Sequence, residues 1–309
     1  MFLFNLVERR KTYFIFSGVI IGLGILAMVY SFITTGSPFL LGVDFRGGAR
    51  FEVQFTEPVT ETAVEEVFTN AGISNPSIIA LRGEDLQNAW QIRTETMSPE
   101  EAQVIEDALN DLAPLVPDGT QVESVSGTVA GEVTNAAFIA VLVAGLIILV
   151  YIMVVFRQVP NPFRYGACAV AAMLHDLFVI FGVAAITGMV LGWEVDALFL
   201  TAVLTVAGFS LQDTIVVFDR IRENINKRPL EKYERVVNRS ILETVHRSLA
   251  TQLNAMFIMV AILLFGGASI KPFIAVLFIG LLSGTYSSIF TAVPLLVAWE
   301  KNEIPFLKA

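Results

Sequence analysis

Six runs of about 20 apolar residues dominate the chain, and they predict six membrane-spanning helices. The first run follows the basic residues Arg9, Arg10 and Lys11. It is long and lacks a small-residue cleavage site, so we interpret it as a retained anchor and not as a cleaved signal peptide. The six runs are Tyr13–Ile33, Ala136–Phe156, Phe163–Thr187, Ala197–Phe218, Ser248–Gly266 and Pro272–Trp299.

Between the first two runs, alternation of apolar and polar residues predicts a small α/β domain. Ala49–Phe55 alternates with the period of a half-buried strand. Capping boxes are predicted at Thr62–Glu65 and Ser98–Glu101, each at the start of a helix. The predicted elements are strands at Ala49–Phe55, Ser77–Arg82, Ala89–Thr94 and Gln121–Val129, helices at Glu61–Asn70 and Ser98–Leu112, and a turn at Gly83–Asp85.

The predicted element order β-α-β-β-α-β matches the ferredoxin-like motif. The predicted fold class is therefore an α-helical polytopic membrane protein with six transmembrane helices and one α+β ferredoxin-like extracytoplasmic domain. The predicted boundaries are 1–35 for the amino terminus and first helix, 36–132 for the external domain, 133–299 for helices two to six, and 300–309 for the tail. Residues 219–247 are predicted to form a cytoplasmic loop.

Composition and charge support this division. Hydrophobic residues make up 55% of the 309 residues, which is too apolar for an ordinary soluble domain. Region 36–132 has 17 acidic residues and four arginines, a net charge of −13, whereas the whole chain carries −9. The acidity therefore belongs to the external domain and gives no indication of nucleic-acid binding. Cys168, the single cysteine, lies within a span, so no internal disulfide is expected.

Lysine and arginine in the short flanks predict the orientation. Basic residues precede the first span, Arg157 and Arg164 flank the second connection, and eight more lie between spans four and five. Both termini are therefore predicted to be cytoplasmic. The stretch Arg220–Arg247 is predicted to be an amphipathic cytoplasmic segment, either a solvated helical face or a docking surface for a partner.

Asp213 is the most informative single residue because it lies inside the fourth apolar run. A carboxylate within a bilayer is costly and commonly marks a proton, ion or substrate pathway. The alternative is a structural aspartate with one fixed partner. Ser210 lies three residues earlier and shares a helix face with Asp213, where it could contribute to packing or to a hydrated path.

Arg247, near the start of span five, is expected at a depth similar to that of Asp213 because the two spans connect on the cytoplasmic side. A guanidinium beside the carboxylate favours its charged form, and its departure allows the carboxylate to take up a proton. This predicts a switchable proton relay of Asp213 and Arg247. The alternative is that Arg247 extends to the lipid headgroups.

Two further polar motifs stand out. His175 and Asp176 in span three are candidates for an accessory relay together with Ser210, or for a structural hydrogen bond. A metal site is not expected, since the chain has only two histidines and no compact ligand set. Gly42–Gly48 (GVDFRGG) predicts a structural turn in which Gly47 and Gly48 allow close backbone approach and Asp44 bonds neighbouring amides.

Several stretches together resemble the SecF family of bacterial protein-export membrane subunits. The resemblance covers nearly the whole chain and departs from the family pattern at Ser126–Val133 (SGTVAGEV). The matching stretches are GVDFRGG, His175-Asp176, Gly208–Asn224 (GFSLQDTIVVFDRIREN), His246-Arg247-Ser248 and Ser283–Phe290 (SGTYSSIF).

The resemblance implies a subunit in the bacterial inner membrane that pairs with SecD and assists the SecYEG translocon. Such subunits use proton flow to move exported, unfolded polypeptides, with protons as the coupling ion and no cofactor. The membrane Asp and the basic residue of the family map onto Asp213 and Arg247. Two alternatives are an intramembrane aspartyl protease that pairs Asp176 with Asp213, and a passive scaffold subunit.

Overall fold

The computed structural model describes residues 5–73, 76–81, 87–117, 119–267 and 270–303. The predicted turn at Gly83–Asp85 lies outside these residues. The chain forms two compact units, which we call the membrane unit and the external unit. The membrane unit consists of Met1–Phe39, Ile139–Trp193 and Leu198–Ala309, and the external unit consists of Leu40–Phe138 and Glu194–Ala197.

The elements follow one another in a simple order. They are α1 (Arg10–Thr35), α2 (Val43–Arg46), β1 (Gly48–Gln54), α3 (Glu61–Asn70), β2 (Ser77–Leu81), β3 (Ala89–Thr94), α4 (Pro99–Leu112), β4 (Gln121–Val125), α5 (Gly127–Val155), α6 (Pro162–Leu191), α7 (Ala197–Lys227), α8 (Tyr233–Phe265), α9 (Lys271–Ser287), a π-helical turn (Ser288–Ala292) and α10 (Val293–Glu300).

Six helical segments of the described residues are long and apolar enough to cross a membrane, and each overlaps one predicted run. The sixth segment, Lys271–Glu300, joins α9, the π-helical turn and α10. α1 and α9 both pack against α6. The architecture is therefore that of a multi-pass membrane protein, as predicted.

The segment between α7 and α8 differs from the prediction. α7 continues to Lys227 and α8 begins at Tyr233, so Arg220–Arg247 consists of two helix ends and a short loop between them. The two helix ends bind each other: Arg220 Nε donates to Glu243 at 2.6 Å, and Asn224 Nδ2 donates to the same carboxylate at 2.8 Å. These cross-helix bonds explain why both helices extend past their apolar runs.

The external unit contains a four-stranded antiparallel sheet in the order β2-β3-β1-β4. Its apolar core includes Phe51 of β1 and Phe68 of α3, which meet edge to face with ring centroids 5.3 Å apart. The element order agrees with the predicted one. The predicted extension of β4 to Val129 is wrong, because the strand ends at Val125 and the hydroxyl of Ser126 accepts a hydrogen bond from the Val129 amide at the start of the next helix.

Two predicted helix starts have different outcomes. The capping box at Ser98 is present, since Ser98 and Glu101 exchange side-chain and backbone hydrogen bonds at 3.3 and 2.8 Å. The capping box at Thr62 is wrong. Thr60 caps α3 instead, its hydroxyl accepting from the Ala63 amide at 3.3 Å, because an N-cap residue precedes the first helical residue.

We predict that the fragment Gly47–Val129 folds alone, because its sheet, two helices and apolar core are internal to it. In this fragment, Phe51→Ala should lower the free energy of unfolding by about 3–5 kcal/mol, as expected for a buried aromatic residue. Val104, 64% exposed on α4, provides the control, and its replacement by Ala should change stability by less than about 0.5 kcal/mol. Urea denaturation followed by circular dichroism measures both. A poorly dispersed amide NMR spectrum of the fragment would contradict the prediction.

Candidate functional site

Asp176 on α6 is a fully buried carboxylate surrounded by serine hydroxyls from two other helices. Ser210 of α7 and Ser287 of α9 donate to its Oδ2 at 2.6 and 2.7 Å. Ser283 of α9 donates to its Oδ1 at 2.6 Å. Both carboxylate oxygens are therefore satisfied, and one side chain connects α6, α7 and α9. We call these four residues the Asp176 cluster.

The sequence of α9 explains how its serines reach Asp176. Ser283 and Ser287 are four residues apart and therefore lie on one helix face. Gly284 lies between them, and a Cβ atom on it would come within 3.2 Å of Ser210 Cβ and 3.7 Å of Asp176 Oδ2. The absence of a side chain at Gly284 therefore allows α9 to approach α7 closely enough for both hydroxyls to bond the carboxylate.

His175 extends the Asp176 cluster on one side. Its Nδ1 lies 3.1 Å from Asp176 Oδ1, and its ring stacks on Tyr286 with centroids 5.9 Å apart. The side chain is buried, and its Nε2 has no hydrogen-bond partner among the described residues. The structure thus brings together all three candidates for an accessory relay, since Ser210 also bonds Asp176.

Asp213 on α7 is buried and faces α8. Gln252 Nε2 donates to its Oδ2 at 2.7 Å. Ser248, four residues before Gln252 and on the same helix face, lies beside the carboxylate. The described residues place Asp213 in no ion pair, so its neighbours are neutral groups.

One turn of α7 connects these two polar regions. Ser210 and Asp213 are three residues apart, and Ser210 faces Asp176 whereas Asp213 faces Gln252. Within the described residues no hydrogen bond joins Asp176 to Asp213. The two carboxylates therefore belong to separate sets of partners, which is unlike the shared site of an aspartyl protease.

Arg247 does not contact Asp213 in this structure. It lies exposed on α8, next to Ser248 in the sequence, while Gln252 occupies the position facing the carboxylate. The pairing of Arg247 with Asp213 therefore stays a prediction for a different arrangement of α7 and α8.

The GVDFRGG stretch has a different local structure from the predicted simple turn. Val43–Arg46 forms α2, and Asp44 Oδ2 accepts from the amide of Ala197, which is remote in sequence, at 2.9 Å. A carboxylate at the first residue of α7 stabilises the positive end of that helix. Gly48 has φ of 121°, and a Cβ on it would lie 2.6 Å from the carbonyl oxygen of Thr94. Only glycine fits there.

Glu194 forms a buried ion-pair cluster in the external unit. Its side chain is 4% exposed and lies 2.6 Å from Arg93 Nη2 and 3.8 Å from Arg50 Nη1. Gln91 donates a hydrogen bond to it. Burial raises the pKa of the Glu194 carboxyl above its ordinary value, and the nearby guanidinium groups offset this only in part.

Sequence reasoning missed several of these partners. Gln252 and Glu194 belong to none of the predicted sites, and the serines of α9 enter the sequence analysis only within the stretch SGTYSSIF. In α9 the i, i+4 spacing of Ser283 and Ser287 was an available signal, whereas no local pattern indicates Glu194. Among the described residues no group of three or more His, Cys, Asp or Glu could hold a metal ion.

Six apolar helices with buried carboxylates, and a small acidic α/β unit inserted after the first helix, define a polytopic membrane protein with an α/β insertion. Two family profiles match the chain: "Protein export membrane protein SecD/SecF, C-terminal" over residues 104–302, and "SecD/SecF GG Motif" over residues 32–59. The second range includes Gly47 and Gly48. The chain belongs to the SecD/SecF family of protein-export membrane proteins.

Individual relatives agree with this assignment. The chain is 43% identical over 276 residues to the protein translocase subunit SecF of Thermobaculum terrenum, covering 85% of each chain. It is 38% identical to SecF of Anaerolinea thermophila, covering 97% of this chain and 95% of that one. The crystal structure of SecDF from Thermus thermophilus, a translocon-associated membrane protein, matches with a TM-score of 0.78 at 27% identity. That match covers 97% of this chain and 40% of the SecDF chain.

We predict that Asp176→Ala lowers the free energy of unfolding in detergent by about 3 kcal/mol, because three buried hydroxyls lose their acceptor. Ser210→Ala should cost about 1 kcal/mol, the net value of one hydrogen bond. Ser288 is equally buried, but its hydroxyl donates within its own helical segment to Thr285 at 3.2 Å. Ser288→Ala therefore serves as the control, and an Asp176→Ala variant as stable as this control would disprove the structural role of the Asp176 cluster.

Proposed function

We propose that this chain is a SecF subunit that uses the proton-motive force, together with SecD, to promote late steps of protein export through SecYEG. The observation that carries the proposal is the environment of Asp213. It is a buried carboxylate in the middle of a membrane helix, and its contacts are the neutral side chains Gln252 and Ser248. In this arrangement the carboxylate can bind a proton without breaking an ion pair.

The comparisons support the choice of partners. The SecDF of Bacillus subtilis is one chain, and this chain matches 38% of its length at 32% identity. Because that relative is named SecDF, we infer that SecD is a partner of this chain. The further partners we propose are the SecYEG translocon, exported unfolded polypeptides and the lipid bilayer, with protons as the coupling ion, no other cofactor and no enzymatic reaction.

The topology we propose has both termini in the cytoplasm of a bacterium and the inner membrane as its location. It rests on the basic residues that flank the helices. For the external unit we propose the ferredoxin-like class, which the strand order β2-β3-β1-β4 and the element order β-α-β-β-α-β support.

The arrangement of α8 suggests how the relay of Asp213 and Arg247 operates. Ser248 and Gln252 now face Asp213, and Arg247 lies about 100° away around the helix. A rotation of α8 by that amount would replace the Gln252 amide beside Asp213 with the Arg247 guanidinium. Asp213 would then be unpaired and able to hold a proton in the first state, and ionised beside Arg247 in the second.

The accessory relay of His175, Asp176 and Ser210 has a defined place in this scheme. Ser210 lies one turn before Asp213 and bonds Asp176, so a change at Asp213 that shifts α7 alters the Asp176 cluster. The protease alternative is disfavoured because Asp176 already accepts three hydroxyl hydrogen bonds and shares no bond with Asp213. The scaffold alternative differs in requiring no titratable Asp213.

We predict that Asp213→Asn abolishes proton-dependent stimulation of export while the protein still inserts and binds SecD. The isosteric amide keeps the bond pattern nearly intact but cannot titrate. Export is measured in membrane vesicles with and without a proton gradient. Asp219, on the same helix but exposed and paired with Arg222 at 2.6 Å, is the control, and Asp219→Asn should export normally. Undiminished export by Asp213→Asn at normal membrane levels would support the scaffold alternative.

The pairing of Asp213 with Arg247 is tested by a double-mutant cycle of Asp213→Asn and Arg247→Met. Each single variant should lose proton-dependent export, and the double variant should lose little more, because effects within one functional unit are non-additive. Arg235→Met, an exposed arginine on the same helix, is the control. The readout is export rate against pH. Additive losses, or a wild-type pH profile for Arg247→Met, would remove Arg247 from the relay.

A further inference from the structure

The four residues Glu194–Ala197 include the end of the connection from α6 and the first residue of α7, and they belong to the external unit. The Val195 amide donates to the carbonyl of Leu40 at 2.8 Å, and the Gly42 amide donates to the carbonyl of Val195 at 2.8 Å. The Ala197 amide, the first of α7, donates to Asp44 at 2.9 Å. We call this segment the link.

The Glu194 side chain adds a second, ionic attachment of the link to the sheet. Arg50 of β1 and Arg93 of β3 lie directly opposite each other in the antiparallel register. Like charges in such a pair repel each other. The Glu194 carboxylate, 2.6 Å from the Arg93 guanidinium and 3.8 Å from that of Arg50, offsets this repulsion together with Glu123, which lies 2.7 Å from Arg50.

The face of the sheet that carries these groups is distinct from the core face. Phe51 and Ile92, paired across the same two strands, point into the apolar core. Because side chains alternate along a strand, the neighbouring residues Arg50 and Arg93 lie on the opposite face. The two guanidinium groups on that face therefore form the binding site for the Glu194 carboxylate.

Stability alone does not account for this cluster. Burial raises the pKa of Glu194, and burial lowers the pKa of Arg93 even though each has an oppositely charged partner. Mutual attraction therefore does not fully offset the cost of removing both groups from water, as is common for buried ion pairs. A role in fixing geometry is the better explanation.

We propose that Glu194 is a positioning residue that attaches the start of α7 to the sheet of the external unit, so that displacement of the helix carrying Asp213 moves that sheet. α7 is continuous from Ala197 to Lys227. Asp213 lies 16 residues along it, roughly 24 Å from the link at 1.5 Å per residue. An unbroken helix transmits displacement along its axis. The inference rests on the proposed function, in which Asp213 is where protons act.

The first test compares Glu194→Gln with Glu123→Gln. Glu123 also pairs with Arg50, at 2.7 Å, but it is 47% exposed and lies on β4, outside the link. Glu194→Gln should lower proton-dependent export at least about fivefold and speed amide hydrogen exchange at Val195 and Ala197 about tenfold, as expected for a loosened segment. Glu123→Gln should leave both within about twofold of wild type.

The second test restores the attachment covalently. Leu41 and Val195 pair in a parallel bridge, and the spacing of about 5 Å between neighbouring strands suits a disulfide. The variant carries Leu41→Cys and Val195→Cys together with Glu194→Gln, and Cys168→Ala prevents mispairing. The oxidised form should recover proton-dependent export, and a reductant should remove the recovery. If Glu194→Gln alone is depleted from the membrane, the test is the comparison of export by the disulfide variant before and after reduction.

The outcomes separate this inference from the proposed function. Wild-type export by Glu194→Gln alongside an inactive Asp213→Asn overturns the positioning role, and so does an oxidised disulfide that restores nothing. Normal export by Asp213→Asn overturns the proposed function, and the coupling falls with it. In that case amide hydrogen exchange at Val195 still tests whether Glu194 holds the link against the sheet. An unchanged exchange rate in Glu194→Gln would refute that attachment.

Discussion

The packing of the membrane unit depends on hydrogen-bond donors for the carboxylates that are buried among its apolar helices. An unsatisfied polar group in such surroundings costs several kcal/mol. Asp176 meets this requirement with three serine hydroxyls drawn from two helices other than its own. The packing of α6, α7 and α9 is thereby tied to a single residue, and a glycine at position 284 is needed because those helices must approach closely.

The two buried carboxylates differ in how fully their partners hold them, and this difference indicates different roles. Asp176 has fixed donors on both oxygens, so a change in its charge would disrupt three hydrogen bonds. Asp213 has an amide donor on one oxygen and no cation beside it. Gln252 can bond either the acid or the anion, because an amide carries both donors and an acceptor. Asp213 is thus the better candidate of the two for the proton site that we propose.

Features that follow from the periodicity of residues are predicted by the sequence. Contacts that depend on how a helix is rotated about its own axis are not. The six spans, the strand order along the chain and the cap at Ser98 follow from periodicity and local hydrogen bonding. The partner of Asp213 does not, because Arg247 and Gln252 lie on different faces of one helix and only its rotation decides which faces α7. Glu194 was equally inaccessible, since its partners Arg50 and Arg93 are about 100 residues or more away in sequence.

Contacts at several depths constrain α7, and together they limit how it can move. Its first amide bonds Asp44, Ser210 bonds Asp176, and Asp213 bonds Gln252. Tilting α7 alone would strain the short hydroxyl bond to Asp176, whereas rotating α8 exchanges Gln252 for Arg247 and leaves the Asp176 cluster intact. The smaller disturbance is therefore a movement of α8 against α7. An axial shift of α7 that carries the link with it keeps the bond to Asp44 but must stretch the Ser210–Asp176 bond, so the Asp176 cluster is the contact that limits such a shift.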